Sequence, residues 1–145
     1  MNLTKWDQRF IDLAKLVGSW SKDPSTQVGA VIVDKDNRIV SVGYNGFPKS
    51  VSDTQHRLLD REQKYDMMVH AEANALMFAN KSVHGCVLYT WPFQPCSRCA
   101  GLIIQSGITR VVSVVHSEDR WKKNFSIAKQ LFMESRVLLE IYDEG

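Results

Sequence analysis

Short apolar runs alternate with helical segments along most of this chain, and that alternation limits its fold more than any other feature. Residues 3–20 carry Trp6, Phe10, Leu13, Leu16 (with Val17) and Trp20 at three- and four-residue steps, the period of an amphipathic helix with those side chains in the core. Thr4 stands at the N-cap position, and Gly18 weakens the last turn. A polar loop, Ser21 to Thr26, leads into two β-rich runs, Gln27 to Val33 and Arg38 to Gly43. Asp34-Lys35-Asp36-Asn37 between them predicts a hairpin. Tyr44 to about Asp60 reads as a long polar loop, of the kind that is functional or mobile. A helix rich in small residues follows over 67–80, then an apolar strand from Cys86 to Thr90. Pro95 opens a helix that Gly107 stops. Ile108 to Val115 is a strand, and His116 to Asn124 a charged loop. Residues 126–135 form a helix with Ile127, Leu131 and Phe132 inward, and Val137 to Tyr142 is the last strand. The order α-β-β-α-β-α-β-α-β predicts a three-layer α/β domain spanning 1–145. Its mixed five-stranded sheet has helices on both faces, an antiparallel opening hairpin and right-handed crossovers.

Composition narrows what such a domain does. A chain of 145 residues with 44% hydrophobic content buries a core without disulfides and is not disordered. Three cysteines, an odd and low number, argue for a reducing compartment. No run approaches the roughly 18 apolar residues of a membrane span, and the first ten residues lack a signal peptide's apolar centre. The net charge of +2 lacks the basic footprint of a duplex binder.

Two motifs at predicted helix starts carry chemistry: His70-Ala71-Glu72 and Pro95-Cys96-Ser97-Arg98-Cys99. Cys96 and Cys99 share one helix face. They sit in a first turn, where unpaired N–H groups and the macrodipole favour thiolate. Two thiolates and one imidazole suit Zn²⁺ with its fourth position open, the pattern of a catalytic site. Glu72 lies two residues from His70, which does not bring both to one metal from a regular turn. A carboxylate beside such a metal is a proton shuttle. Each motif alone is weak: Cys-x-x-Cys is also a redox pair or half a structural zinc site. Together, in this order, they match the His-x-Glu and Pro-Cys-x-x-Cys signature of zinc nucleobase deaminases. The bland alternative is a packed histidine, a surface carboxylate and two core cysteines, with both helix-start placements coincidental.

The sequence resembles the deoxycytidylate (dCMP) deaminases of the cytidine/deoxycytidylate deaminase superfamily. The resemblance runs from about Ser21 to Ile108 and includes Ser21-Lys22-Asp23-Pro24, Gln27 to Val33, Gly43-Tyr44-Asn45-Gly46-Phe47-Pro48, Lys64-Tyr65, both metal motifs and Leu102 to Ile108. It implies a cytidine-deaminase-like fold and hydrolysis of dCMP to dUMP and ammonia, feeding thymidylate synthesis, with dCTP a further candidate substrate. It implies Zn²⁺ on His70, Cys96 and Cys99, with Glu72 as general acid/base carrying protons to N3 and the departing amino group. Ala71 and the strand end near Trp91 would hold the base, and Asn45 the deoxyribose. Lys22, Ser25, Arg120 and Trp121 are candidates for the phosphate end. The family's Tyr in the loop after the fourth strand is replaced here, where His116-Ser117-Glu118-Asp119-Arg120-Trp121 stands. The resemblance further implies a homo-oligomer (a hexamer), dCTP and dTTP as effectors, Mg²⁺ accompanying a nucleotide effector, and the cytoplasm, or a host's cytoplasm for a viral chain.

Other residues take plainer readings. Cys86 reads as a buried strand residue. His84 reads as solvated in a turn, and His56 as surface or effector contact. His116 is equally a site residue or not. Arg57, Arg61 and Lys64, interspersed with Asp60 and Glu62, read as a solvated or interface helix face rather than a phosphate cradle. The competing functions are a polynucleotide deaminase acting on tRNA adenosine or single-stranded cytosine, which needs a basic channel, and a non-enzymatic zinc module, which gives Glu72 no role.

Overall fold

The computed structural model describes residues 3–117 and 119–144; Met1, Asn2, Glu118 of the loop after the fourth strand, and Gly145 lie outside the described residues. Helix α1 spans Lys5–Gly18, and Thr4 Oγ1 accepts the Asp7 backbone N–H at 3.0 Å, the cap its sequence predicts. Strands β1 (Gly29–Val33) and β2 (Ile39–Tyr44) form the expected antiparallel hairpin, with Asn37 at φ 61° in its turn. The short helix α2 (Gln55–Leu59) occupies part of what reads from sequence as loop, and α3 (Arg61–Met67) follows it, ending where the next helix is expected to start. Helix α4 (Ala71–Phe78) is separate from them. Strand β3 (Val87–Trp91), helix α5 (Ser97–Ser106), strand β4 (Arg110–Val114), helix α6 (Lys122–Ser135) and strand β5 (Leu138–Tyr142) complete the order. Gly107 ends α5 in the left-handed region at φ 90°.

The sheet order is β2-β1-β3-β4-β5. β1 is antiparallel to both neighbours, and β3, β4 and β5 run parallel. Alternation along the strands divides the core in two. Ala30, Ile32, Leu88 and Val111 face α4, α5 and α6 through Ala71, Ala75, Cys99, Ile103, Ala128 and Phe132. Val31, Val33, Tyr89 and Val112 face α1 through Phe10, Ile11 and Ala14. These are the three layers that the alternation predicts.

Close approach of helix to sheet depends on two glycines. A Cβ at Gly29 would lie 1.8 Å from the Ala14 carbonyl oxygen, and one at Gly43 would lie 2.4 Å from both the Ala71 carbonyl oxygen and the Ala75 nitrogen. Gly43 therefore sets how deeply α4 seats on the sheet.

Two readings of the helical faces need correction. The buried face of α1 is Asp7, Phe10, Ile11, Ala14, Val17 and Gly18, while Trp6 and Trp20 are 43% and 53% exposed and Leu16 is also outside. On α6, Ala128 and Phe132 point inward, and Ile127 and Leu131 are exposed. On α1, Ala14 and Gly18 stand where the helix backbone meets Gly29 of β1 too closely for larger side chains, while Phe10 and Ile11 fill the wider part of the same face.

Candidate active site

Helices α4 and α5 begin side by side, and each has a metal-ligand candidate at its N-cap: His70 for α4 and Cys96 for α5. Neither side chain makes a capping hydrogen bond to its own helix. Instead both turn towards one point. His70 Nδ1 lies 3.4 Å from Cys96 Sγ and 3.4 Å from Cys99 Sγ, and the three donor atoms lie within 4.8 Å of one another. Bond lengths of zinc to imidazole and thiolate, at a tetrahedral angle, put N and S about 3.6 Å apart. The donor set and its spacing thus fit Zn²⁺, with three protein ligands and one open position.

The two sulfurs share a proton unequally. The hydrogen bond from Cys99 and the nearby His70 hold the Cys96 thiol far below its usual range, while that same bond and burial push Cys99 up. The backbone N–H groups of Cys99, near Cys96, and of Ala73, near Cys99 in the first turn of α4, act in the lowering direction on those two thiols. The hydrogen bond to Cys96 raises His70 in turn.

Glu72 is 3% exposed. Burial pushes its carboxyl up to about 7, partly opposed by the charge of His70. A carboxyl poised there takes and returns protons near neutrality.

His70, Ala71, Glu72 and Cys96 line a cavity, joined by Ser25, Asn45, Arg120 and Trp121. So the structure gathers most of the residues that the sequence nominates. Cys99 stands buried behind the lining. Two further nominees are absent from it. Lys22 is exposed and pairs with Asp53 at 3.0 Å, across solvent rather than into the cavity. The Trp91 ring packs beside the α1 core, with Lys15 over its face and its Nε1 donating to Glu144 at 3.0 Å. The alternation of β3 sends that side chain to the other layer, so only its backbone end is near the site.

Asn45 is fully engaged. Its Oδ1 accepts from the Val28 N–H at 2.9 Å, and its Nδ2 donates to the Thr26 carbonyl at 2.9 Å. Lys64 corrects the reading of a solvated basic face: it is buried, ion-paired with Asp23 and part of the cavity lining, as is the more exposed Arg61. Arg57 does stay outside, donating to the Ser52 carbonyl. The sequence reading also missed an aromatic wall. Phe93, Trp121 and Phe125 pack with centroids 5.5–6.0 Å apart, and Tyr65 meets Trp121 edge-on. His116 abuts that wall through Phe93 at 4.9 Å, outside the cavity lining, while His56 and His84 are exposed and Cys86 is buried just before β3. Its signal is the helical spacing of Trp121 and Phe125, obscured by the surrounding charges.

Comparison with known proteins accords with this geometry. A family model described as the cytidine and deoxycytidylate deaminase zinc-binding region matches residues 4–115. An "uncharacterized deaminase in luxG 3′ region" of Aliivibrio fischeri is 48% identical over 138 residues, 93% of this chain and 92% of the relative. A probable deoxycytidylate deaminase of Caenorhabditis elegans is 46% identical, covering 94% of this chain and 69% of its own length. Human deoxycytidylate deaminase is 45% identical over 74% of this chain and 64% of its own. The fold matches a crystal structure of dCMP deaminase from the cyanophage S-TIM5 in complex with dCMP and dUMP, with a TM-score of 0.75, 24% identity and coverage of 97% and 98%. The chain belongs to the cytidine and deoxycytidylate deaminase family.

Proposed function

We propose that this protein hydrolyses dCMP to dUMP and ammonia. The observation that carries the reading is the convergence of His70, Cys96 and Cys99 beside a buried carboxylate, Glu72, in one cavity. The identity with deoxycytidylate deaminases supports dCMP as the substrate.

Held by His70, Cys96 and Cys99, zinc would supply a Lewis acid that makes water a nucleophile near neutral pH. Glu72 accepts the proton of that water and delivers it to N3 of cytosine. As oxygen bonds to C4 and the C4–N4 bond breaks, Glu72 carries a second proton to the departing nitrogen, which leaves as ammonia. The Ala71 backbone and Asn45 border the base and sugar, and the aromatic wall excludes water. Trp121 supports an anionic end to the substrate: its Nε1 is buried with no hydrogen-bond partner among the described residues, and Arg120 lies over its ring at 5.5 Å. An acceptor such as a phosphate oxygen would satisfy that donor.

A single sheet with its two helix layers holds all of these groups, which supports reading 1–145 as one deaminase domain. The family resemblance extends the reading to a homo-oligomer, to dCTP and dTTP as effectors with Mg²⁺, and to the cytoplasm. Exposed Met77 and Phe78 at the end of α4 suit an oligomer contact. No described helix is long and apolar enough to cross a membrane. The modest net charge disfavours a polynucleotide substrate.

The test is a panel of dCMP, dCTP, CMP and deoxycytidine offered to zinc-loaded protein with and without dTTP. The expected result is loss of cytosine absorbance and release of ammonia, fastest with dCMP. Absence of turnover with every free cytosine nucleotide would overturn the reading.

A further inference from the structure

The proton transfers above leave one buried charged pair at the cavity unused. Lys64 Nζ, from α3, lies 3.0 Å from Asp23 Oδ1 and 2.6 Å from Ser25 Oγ, across 41 and 39 residues of sequence. The two charged side chains are 8% and 4% exposed. Such a pair is a poor source of stability, because desolvating both ions consumes most of what their attraction returns. Its position suggests another role.

Asp23 Oδ1 is a hub. Besides Lys64 it accepts the Ser25 N–H at 2.9 Å, the Ser25 hydroxyl at 3.0 Å and the Thr26 N–H at 3.2 Å. Asp23 Oδ2 receives Asn45 Nδ2 at 3.5 Å, and that amide also holds the Thr26 carbonyl. Asp23, Ser25, Thr26, Asn45 and Lys64 all line the cavity. One carboxylate therefore organises the wall that faces Glu72 and its neighbours, and one ammonium from a separate helix clamps that carboxylate.

We propose that Lys64 is a positioning residue for substrate binding. It holds Asp23, and through it the Ser25–Thr26 turn and the Asn45 amide, in the substrate-ready arrangement. It also screens the Asp23 carboxylate from the anionic end of a nucleotide. With two of its three hydrogens and its charge committed to Asp23 and Ser25, Lys64 acts through the wall rather than as a ligand itself. The inference rests on the nucleotide deaminase reading.

Lys64→Met should raise KM for dCMP at least about tenfold while kcat stays within about twofold, because Glu72 and the metal ligands are untouched. KM for deoxycytidine, which has no phosphate, should rise less. Lys64→Arg keeps the charge and should restore most of the dCMP affinity. Asp23→Asn combined with Lys64→Met leaves no unpaired buried charge and should bind dCMP better than Lys64→Met alone; these two variants carry the test if the single one does not fold. Amide hydrogen exchange at Ser25 and Thr26 should quicken in Lys64→Met and stay at the parent's rate in Lys81→Met, which breaks only the more exposed pair with Asp34. A fall in kcat at unchanged KM, or parental protection of both amides, would overturn the proposal. Failure of the parent protein itself on dCMP would instead overturn the substrate reading, and the amide exchange would still decide whether Lys64 holds the wall.

Discussion

The Tyr89 hydroxyl donates a 2.6 Å hydrogen bond to Asp7 Oδ1, joining the third strand to the first helix across 82 residues of sequence. Arg110 donates to both oxygens of the same carboxylate, at 3.0 and 2.9 Å, and its Nε bonds Glu140, which also accepts from Tyr142 at 2.6 Å. The network ties α1 to β3, β4 and β5 on the sheet face away from the metal ligands. Asp7→Ala leaves Arg110 and Tyr89 without their shared acceptor. Loss of about 3–5 kcal/mol is expected in urea unfolding, with kcat of the surviving folded protein nearly unchanged. An equal loss of kcat would show that this face is coupled to the chemistry.

Acid should dissolve the same network. Burial pushes the carboxyls of Asp7 and Glu140 up, but the hydrogen bonds from Arg110, with Tyr89 and Tyr142, prevail and hold both below their ordinary values of 3.8 and 4.5. An acid depressed in the folded state contributes stability that is complete above its unfolded value and is lost as pH falls through the folded one. The urea midpoint should therefore be flat from about pH 7 to about pH 5 in respect of these groups and fall steeply towards about pH 3. Asp7→Asn should flatten that fall; an unchanged slope would remove Asp7 from the acid transition.

Glu72→Gln tests the proton shuttle. The amide keeps the volume and leaves His70, Cys96 and Cys99 in place, so zinc content should equal that of the parent. Turnover of dCMP should drop by about 10²–10⁴-fold. Metal analysis and an ammonia assay on one preparation separate the two effects, and parental turnover would exclude Glu72 from the mechanism.

Gly43→Ala tests whether the seat of α4 matters. The new methyl meets the Ala71 carbonyl oxygen and the Ala75 nitrogen at 2.4 Å, so the helix that begins at His70 must move outward. Overpacking of this kind costs about 1–3 kcal/mol. Weaker zinc retention under chelator challenge should accompany it. Gly101→Ala, where an added Cβ meets open space, is the matched control.

Much of this architecture is legible in the sequence where one local signal dominates. Thr4, Gly107 and the Asp34–Asn37 turn punctuate the chain as capping and turn chemistry require. Metal spacing is equally explicit, because three donors must meet within one coordination sphere. Large side chains misled where burial follows backbone proximity. On α1 the true inward stripe includes Asp7, Ala14 and Gly18, which a search for bulky apolar residues passes over in favour of Trp6 and Trp20. Helices α2 and α3 are short and polar, and only their caps, Thr54 and Asp60, announce them. Lys64 was illegible for another reason: a lysine that is buried by a partner 41 residues away looks, in one dimension, like any solvated charge.

One consequence follows from His70 and Cys96 standing at the N-caps of α4 and α5 without capping their own helices. Helix α4 thereby forgoes a side-chain cap, a contribution of about 1 kcal/mol, whereas at the start of α5 the Ser97 N–H is met instead by Asn124 Oδ1 at 2.8 Å. Zinc held by His70, Cys96 and Cys99 would tether the two helix starts to one another through their side chains. Folding and metal supply are then thermodynamically linked, and each tenfold change in free zinc above its dissociation constant alters unfolding free energy by about 1.4 kcal/mol. Zinc scarcity would thus be registered first as fraying of two helix starts, and the protein's survival in the cell would track the zinc buffer as well as its own sequence.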